Sequence, residues 1–148
     1  MAKLERMAIL CVLALGVPSW LAAAAPAIVA DSVRTQYAQI RVVQLADGLE
    51  RPWGLAFLPD GGFLVTERPG RLQLVRDGRK TEVTGLPAIS AIRQGGLLDV
   101  SLHPEFAANR WVYLSYSKGG AAGTATTLGR GRLEGTRLVD FEEVFSQD

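Results

Sequence analysis

The sequence predicts an all-β fold, and three observations support this prediction. Short apolar runs rich in β-branched and aromatic residues recur along the chain from Ile40 to Phe141. Gly and Pro turn signals separate these runs, among a total of 16 glycines and 7 prolines. After residue 30 no stretch carries the 3.6-residue apolar period of an amphipathic helix. We therefore expect strands joined by tight turns and almost no helix.

A first group of strands is expected between residues 40 and 84. The runs expected as strands cover residues 40–45, 53–58, 63–67, 71–76 and 81–84. The turns between them contain Pro59-Asp60-Gly61-Gly62 and Asp77-Gly78, the residue types that tight turns and hairpins require. Residues 49–84 thus form one four-stranded meander in this prediction.

A second unit begins at Leu97 and repeats the pattern of the first. Strands are expected at residues 97–102, 111–117, 128–133 and 137–141, with a Gly/Ala-rich loop at 118–125. Pro59 and Pro104 occupy matching places in the two units and stand 45 positions apart. This period is typical of a propeller blade, in which each repeat is one four-stranded sheet. A coincidental pair of hairpins is the alternative. Because two blades cannot close a propeller, we expect this chain to be a piece of a longer protein.

The first 27 residues have the layout of a secretory signal peptide. Lys3 and Arg6 form a positive start, and Ala25-Pro26-Ala27 offers small residues to a signal peptidase. The apolar run between them has eleven residues, whereas a helix needs roughly 20 to span a bilayer. We expect cleavage near Ala27, a periplasmic or secreted protein without a stable membrane span, and a loose lead-in at residues 28–39. A retained membrane anchor extended by residues 20–30 is the alternative.

Cleavage near Ala27 would leave a neutral chain without cysteine. The remainder has 14 basic and 14 acidic residues, and the single cysteine, Cys11, lies in the removed segment. No disulfide, cysteine nucleophile or thiolate metal site is then available. The Lys and Arg residues form no cluster that indicates a nucleic-acid partner, and the oligomeric state stays open.

Few residues suggest catalysis. His103, the single histidine, precedes Pro104 and is expected to satisfy a backbone group at a strand-to-turn corner. Glu67 and Asp99 stand near strand ends and are expected to be turn or surface residues. The motifs of zinc proteases, serine hydrolases, nucleotide-binding loops and calcium loops are absent from the sequence. No catalytic residue and no metal ligand is therefore assigned.

Gln94 is the single candidate for ligand binding. It lies in the polar segment Arg93-Gln94-Gly95-Gly96, directly before an apolar strand. Its amide can donate and accept hydrogen bonds without titrating, and the glycines permit a sharp bend or a close approach to a ligand. Arg93 could favour an anion. From spacing alone a polar turn remains the favoured interpretation.

Two motifs carry a family resemblance. FLVTERPGRL at residues 63–72 and QGGLLDVSLHPEF at residues 94–106, in this order, resemble the start of the soluble quinoprotein glucose/sorbosone dehydrogenases. The resemblance covers about residues 40–148 and implies the first two blades of a six-bladed β-propeller. It also implies oxidation of an aldose at C1 with hydride transfer to pyrroloquinoline quinone (PQQ), in the presence of Ca²⁺, with a small sugar as the binding partner.

The resemblance implies that Gln94 reaches into the cofactor and substrate pocket. The family's base histidine, its PQQ-binding arginines and lysine, and its calcium ligands correspond to segments beyond residue 148. We therefore expect this chain alone to be inactive and poorly soluble. A non-catalytic propeller segment that binds carbohydrate or peptide is the main alternative. A lactonase-type hydrolase would need metal-binding carboxylates, for which Glu67 is the one candidate here.

Overall fold

The structure is a computed structural model that describes residues 26–120 and 123–147. This part of the chain is almost entirely β-sheet. In chain order its elements are β1 (Ala27–Arg34), β2 (Gln39–Gln44), β3 (Pro52–Phe57), β4 (Phe63–Glu67), β5 (Arg71–Arg76), β6 (Arg79–Val83), β7 (Leu97–Leu102), α1 (Phe106–Asn109), β8 (Trp111–Gly120), β9 (Gly123–Glu134) and β10 (Arg137–Ser146). Within the described ranges no helix is both long and apolar enough to cross a bilayer.

The strands form three antiparallel sheets. Strands β1 and β2 form a separate two-stranded sheet, whereas β3 to β6 and β7 to β10 form two four-stranded meanders in which consecutive strands pair. We name the sheet of β3 to β6 blade 1 and the sheet of β7 to β10 blade 2. The predicted pair of propeller blades is thereby confirmed, with β3 and β7 as the two adjacent inner strands.

Turn chemistry explains the meander of blade 1. Asp77 and Gly78 join β5 to β6 with φ values of 51° and 72°. A two-residue hairpin loop with positive φ at both positions is a type I′ turn, whose twist matches that of the flanking strands. Between β3 and β4, Leu58 N–H donates to Gly62 O at 2.7 Å and closes the predicted Pro-Asp-Gly-Gly turn.

The main core lies between the two blades. Alternate residues of each strand point toward the other blade, because side chains of a strand alternate between its faces. The buried cluster includes Leu64, Leu72 and Leu74 from blade 1 and Val112, Leu114, Tyr116 and Leu138 from blade 2. Burial of these apolar side chains from both sheets stabilises the blade pair as one unit.

The opposite face of blade 1 is apolar, and its part along β3 is exposed. Trp53, Leu55 and Phe57 alternate along the inner strand β3 and are 59%, 48% and 67% exposed. Beside them, Phe63 and Val65 belong to a second, smaller buried cluster. Apolar surface of this extent is typical of a face that packs against another element.

Two sequence predictions about loops were wrong. Residues 118–125 were expected as a loop, of which residues 121 and 122 lie outside the described ranges, but β8 continues to Gly120 and β9 begins at Gly123, with Lys118 opposite Ala125 and Gly120 opposite Gly123. The glycines at 119, 120 and 123 carry no side chain that could obstruct the ladder, which begins in the strong strand at Trp111. Residues 28–39 were expected as a loose lead-in, but β1 pairs with β2 from Ala27↔Gln44 to Arg34↔Gln39.

The N-terminal signal peptide lies almost wholly outside the described residues. Residues 1–25 are not described, and Ala27, the expected cleavage position, is the first residue of β1. Cleavage near Ala27 therefore stays a prediction. The near absence of helix is confirmed, since the described residues contain one α-helix of four residues.

Candidate functional site

The segment that contains Gln94 connects the two blades. We name residues 84–96 the crossing loop. It begins against the outer strand β10, where Leu138 N–H donates to Thr84 O at 2.8 Å. It ends against β8, where Ser90 N–H donates to Ser117 O and Ser117 N–H donates to Gly96 O, each at 2.8 Å. The crossing loop is therefore bound to blade 2 along its length.

Blade 1 also contacts the crossing loop, through Arg68 in the turn after β4. The carbonyl oxygen of Arg68 accepts the N–H of Leu97 at 3.1 Å. The guanidinium Nη1 of the same residue donates to the carbonyl oxygen of Arg93. The residues around Gln94 are thus fixed between the two blades, at the end where the inner strands β3 and β7 begin.

The two glycines after Gln94 serve this close packing. Gly96 has a φ of +147°, and a Cβ atom built on it would lie 2.1 Å from the carbonyl oxygen of Arg68. A Cβ on Gly95 would lie 2.9 Å from Ser117 Oγ. The expected close approach is therefore real, but the nearest group is the chain's own backbone.

Gln94 itself is exposed at this end of the blades. The residue before it, Arg93, has a φ of 53°, a left-handed conformation that a non-glycine residue adopts at a cost. A turn brings Gly95 N–H to Ile92 O at 2.8 Å. Among the described residues, the side-chain amide of Gln94 has no hydrogen-bond partner. This amide can therefore offer both its donors and its acceptor to a ligand.

Glu67, one position before Arg68, has a structural role. Its carboxylate is 2% exposed and accepts hydrogen bonds from Arg71 Nε and Gln73 Nε2 at 2.8 Å each, and from the backbone N–H of Glu50. Burial raises the pKa of Glu67, but the hydrogen bonds and the charge of Arg71 outweigh it and lower the pKa to about 2. This carboxylate is already occupied by three donors, which argues against a role as base or metal ligand.

His103 lies at the other end of β7 from Gln94. The strand between them spans roughly 17 Å, since each residue advances about 3.3 Å. His103 Nδ1 accepts the N–H of Glu105 at 3.0 Å and contacts Asn109 Nδ2 at 2.8 Å. This geometry agrees with the predicted structural corner.

Asp99 and the remaining acidic groups do not form a metal site. Asp99 is exposed, and its Oδ1 accepts the N–H of Val100 at 2.9 Å. Across residues 26–120 and 123–147, no three His, Cys, Asp or Glu side chains converge on one point. A cavity elsewhere in the molecule is lined by Phe57, Phe63 and Val75 beside the β1–β2 sheet, and Gln94 does not line it.

Sequence reasoning did not identify Arg68 and Thr66 as residues that join the blades. Thr66 is fully buried, and its Oγ1 accepts the N–H of Gly54 at 2.8 Å and donates to the carbonyl oxygen of Leu98 on blade 2. For Thr66 the available signal was its alternation with Leu64 on β4, which places both on the face toward blade 2. For Arg68, in the turn after β4, no local signal was available.

Comparisons with known proteins identify the family. A family model described as Glucose / Sorbosone dehydrogenase matches residues 49–148. The aldose sugar dehydrogenase YliI of Escherichia coli is 45% identical over 116 residues, which cover 74% of this chain and 31% of that protein. An uncharacterised protein of Synechocystis is 42% identical over 125 residues, or 78% of this chain and 30% of that one.

Solved structures agree with this match. A crystal structure of a glucose dehydrogenase superposes with a TM-score of 0.68 at 49% identity, over 71% of this chain and 32% of that one. The PQQ-bound aldose sugar dehydrogenase of Streptomyces coelicolor superposes with a TM-score of 0.63 at 32% identity, over 70% and 32% of the two chains. The chain spans about a third of the length of these relatives. It belongs to the glucose/sorbosone dehydrogenase family.

Proposed function

We propose that the chain supplies two blades of an exported, PQQ- and Ca²⁺-dependent dehydrogenase that oxidises an aldose at C1. The observation that carries this proposal is the crossing loop. In this member of the family, hydrogen bonds to both blades fix the loop, and the loop presents the free amide of Gln94 beside the inner strands. The PQQ-bound relative from Streptomyces coelicolor supports PQQ as the cofactor.

Within this proposal Gln94 is one wall of the cofactor and sugar pocket. Its NH₂ group would donate to a carbonyl or carboxylate oxygen, and its own oxygen would accept from a sugar hydroxyl. PQQ, when bound, would supply the acceptor for the hydride removed from C1, and Ca²⁺ would polarise its quinone. The fixed backbone around Gln94 favours binding, because little loop freedom is left to lose.

Neither His103 nor Glu67 is placed to accept the proton of the sugar hydroxyl. His103 lies at the far end of β7 with Nδ1 occupied, and the Glu67 carboxylate is bound by three donors. We therefore place the base in the two thirds of the family fold that this chain does not span, together with the main PQQ and Ca²⁺ ligands. The isolated chain is accordingly expected to be inactive.

A chimera tests the proposed function. Residues 49–148 of this chain, the range that matches the family, replace the aligned third of the E. coli aldose sugar dehydrogenase. After loading with PQQ and Ca²⁺, we expect aldose-dependent reduction of a dye acceptor, and no reduction without PQQ. A folded chimera that binds PQQ but oxidises none of a panel of aldoses would contradict the proposed reaction and favour a binding role.

Export is a separate part of the proposal. Expression of the full chain in a Gram-negative host is expected to yield periplasmic protein that begins at Ile28, one residue after the expected cleavage position. N-terminal sequencing checks this expectation. Recovery of the intact N-terminus in the membrane fraction would instead support the retained anchor.

A further inference from the structure

Arg68 contacts the peptide group that directly precedes Gln94. Its Nη1 donates to the carbonyl oxygen of Arg93, 25 positions further along the chain and on the far side of the blade junction. A peptide group is planar, so a bond to the Arg93 carbonyl also fixes the N–H and Cα of Gln94. Together with the turn bond from Gly95 N–H to Ile92 O, this contact therefore sets the direction in which the Gln94 side chain leaves the loop.

The backbone at this point needs support. Arg93 has a φ of 53°, and a non-glycine residue in the left-handed region costs about 1–3 kcal/mol unless its surroundings impose that conformation. Hydrogen bonds from a charged donor are stronger than neutral ones, and a guanidinium stays charged at all working pH values. Arg68 thus offers a persistent donor at the position where the loop is strained.

We propose that Arg68 is a positioning residue, which holds the Arg93–Gln94 peptide so that the Gln94 amide faces the pocket before any ligand arrives. The relevance to PQQ and sugar binding rests on the proposed function, whereas the effect on loop geometry does not. Arg68 touches neither cofactor nor substrate in this proposal and acts through Gln94 alone.

Other contacts hold the two blades together without the Arg68 guanidinium. The backbone carbonyl of Arg68 accepts the Leu97 N–H, and the Thr66 hydroxyl donates to Leu98 O. Both bonds remain when only the guanidinium is removed. The buried cluster between the blades also remains. A variant at Arg68 should therefore loosen the loop and leave the fold intact.

Amide hydrogen exchange on the full chain tests the geometric part. In Arg68→Met we expect exchange at Gly95 to accelerate about tenfold or more, as expected for loss of a hydrogen bond from a charged group. Exchange at Leu114, in the blade core, should stay unchanged, and Arg68→Lys should restore most of the protection at Gly95.

The control is Arg76→Met, which removes a partner of Asp60 at the opposite end of blade 1. Unchanged exchange at Gly95, or equal acceleration at Leu114, would overturn the positioning role.

The chimera tests the functional part. We expect Arg68→Met to raise the dissociation constant for PQQ or the KM for aldose about fivefold or more while the melting temperature stays within a few degrees. Arg68→Lys should recover most of this loss, and Arg76→Met should have no effect. Wild-type binding in Arg68→Met would overturn the proposal. A parent chimera that binds no PQQ would count against the proposed function, and the exchange measurement would still decide the role of Arg68.

Discussion

The hydroxyl of Thr66 in blade 1 donates to the carbonyl oxygen of Leu98 in blade 2, and the Thr66 hydroxyl oxygen accepts the N–H of Gly54. Thr66 has no solvent exposure, so these bonds form without competition from water. A single buried hydroxyl therefore links the inner strands of both blades to the second strand of blade 1.

Replacement of Thr66 by valine should destabilise the blade pair. The change keeps the shape of the side chain but leaves the buried N–H of Gly54 and the partly buried carbonyl of Leu98 without their partner, which costs about 1–3 kcal/mol. Urea denaturation followed by tryptophan fluorescence measures the loss. Thr81→Val, at an exposed site on β6, is the matched control and should change the free energy of unfolding by less than about 0.5 kcal/mol. Equal effects of the two variants would contradict the importance of this link.

Gly96→Ala should lower the free energy of unfolding by more than the strain of a positive φ alone, because the new side chain would collide with blade 1. The new Cβ would lie 2.1 Å from the Arg68 carbonyl oxygen, at a φ of +147°. Gly61→Ala is the control, because Gly61 also has a positive φ, +87°, but no atom within 4 Å of its built Cβ. We expect Gly61→Ala to cost about 1–3 kcal/mol and Gly96→Ala to cost clearly more in the same denaturation assay. A smaller loss for Gly96→Ala would show that the contact with Arg68 is relaxed in solution.

Acid should remove the stabilisation that the Glu67 carboxylate provides. Its pKa falls from 4.5 to about 2 in the folded protein, so the folded state favours the charged form. The contribution, on the order of 3 kcal/mol, is complete above pH 4.5 and disappears as the pH falls toward 2. In Glu67→Gln the stability at pH 7 should be lower and this part of the pH dependence absent. Glu82→Gln, on the exposed strand β6, should keep the wild-type profile; an unchanged profile in Glu67→Gln would count against this account.

The open face of blade 1 should cause self-association of the isolated chain. Trp53 and Phe57 are 59% and 67% exposed on one strand face, and contiguous apolar surface of this kind promotes contacts between molecules. The double variant Trp53→Ser/Phe57→Ser should sediment with a lower average mass than the wild type at equal concentration. Tyr37→Ser, which removes an aromatic side chain that is 89% exposed outside this face, should leave association unchanged. Association that responds equally to both changes would place the contact elsewhere.

Blade 1 could be predicted almost to the residue because its signals are local. The expected strands at residues 63–67 and 71–76 coincide with β4 (Phe63–Glu67) and β5 (Arg71–Arg76). Turn residues with restricted φ border both strands, so sequence neighbours alone define where pairing starts and stops. The 45-residue repeat likewise predicted the second blade, because each repeat forms one sheet.

Other features depend on partners that are distant in sequence. Nearly all residues of strand β1 are exposed. Its sequence therefore does not need the alternation of apolar and polar residues that marks a half-buried strand, and this signal is missing. The contact from Arg68 to Arg93 joins two turns whose proximity follows only from the packing of the blades. Gln94 was singled out by its glycines and by family resemblance, and its assignment to the cofactor pocket remains a prediction.

The affinity of the calcium-loaded chimera for PQQ tests the central claim most directly. We predict that Gln94→Ala raises the dissociation constant roughly three- to tenfold, as expected for loss of one uncharged hydrogen bond, and that Thr81→Ala leaves it unchanged. If Gln94→Ala binds PQQ as tightly as the parent chimera and the Thr81→Ala control, and oxidises aldoses at the parent rate, Gln94 is not part of the pocket.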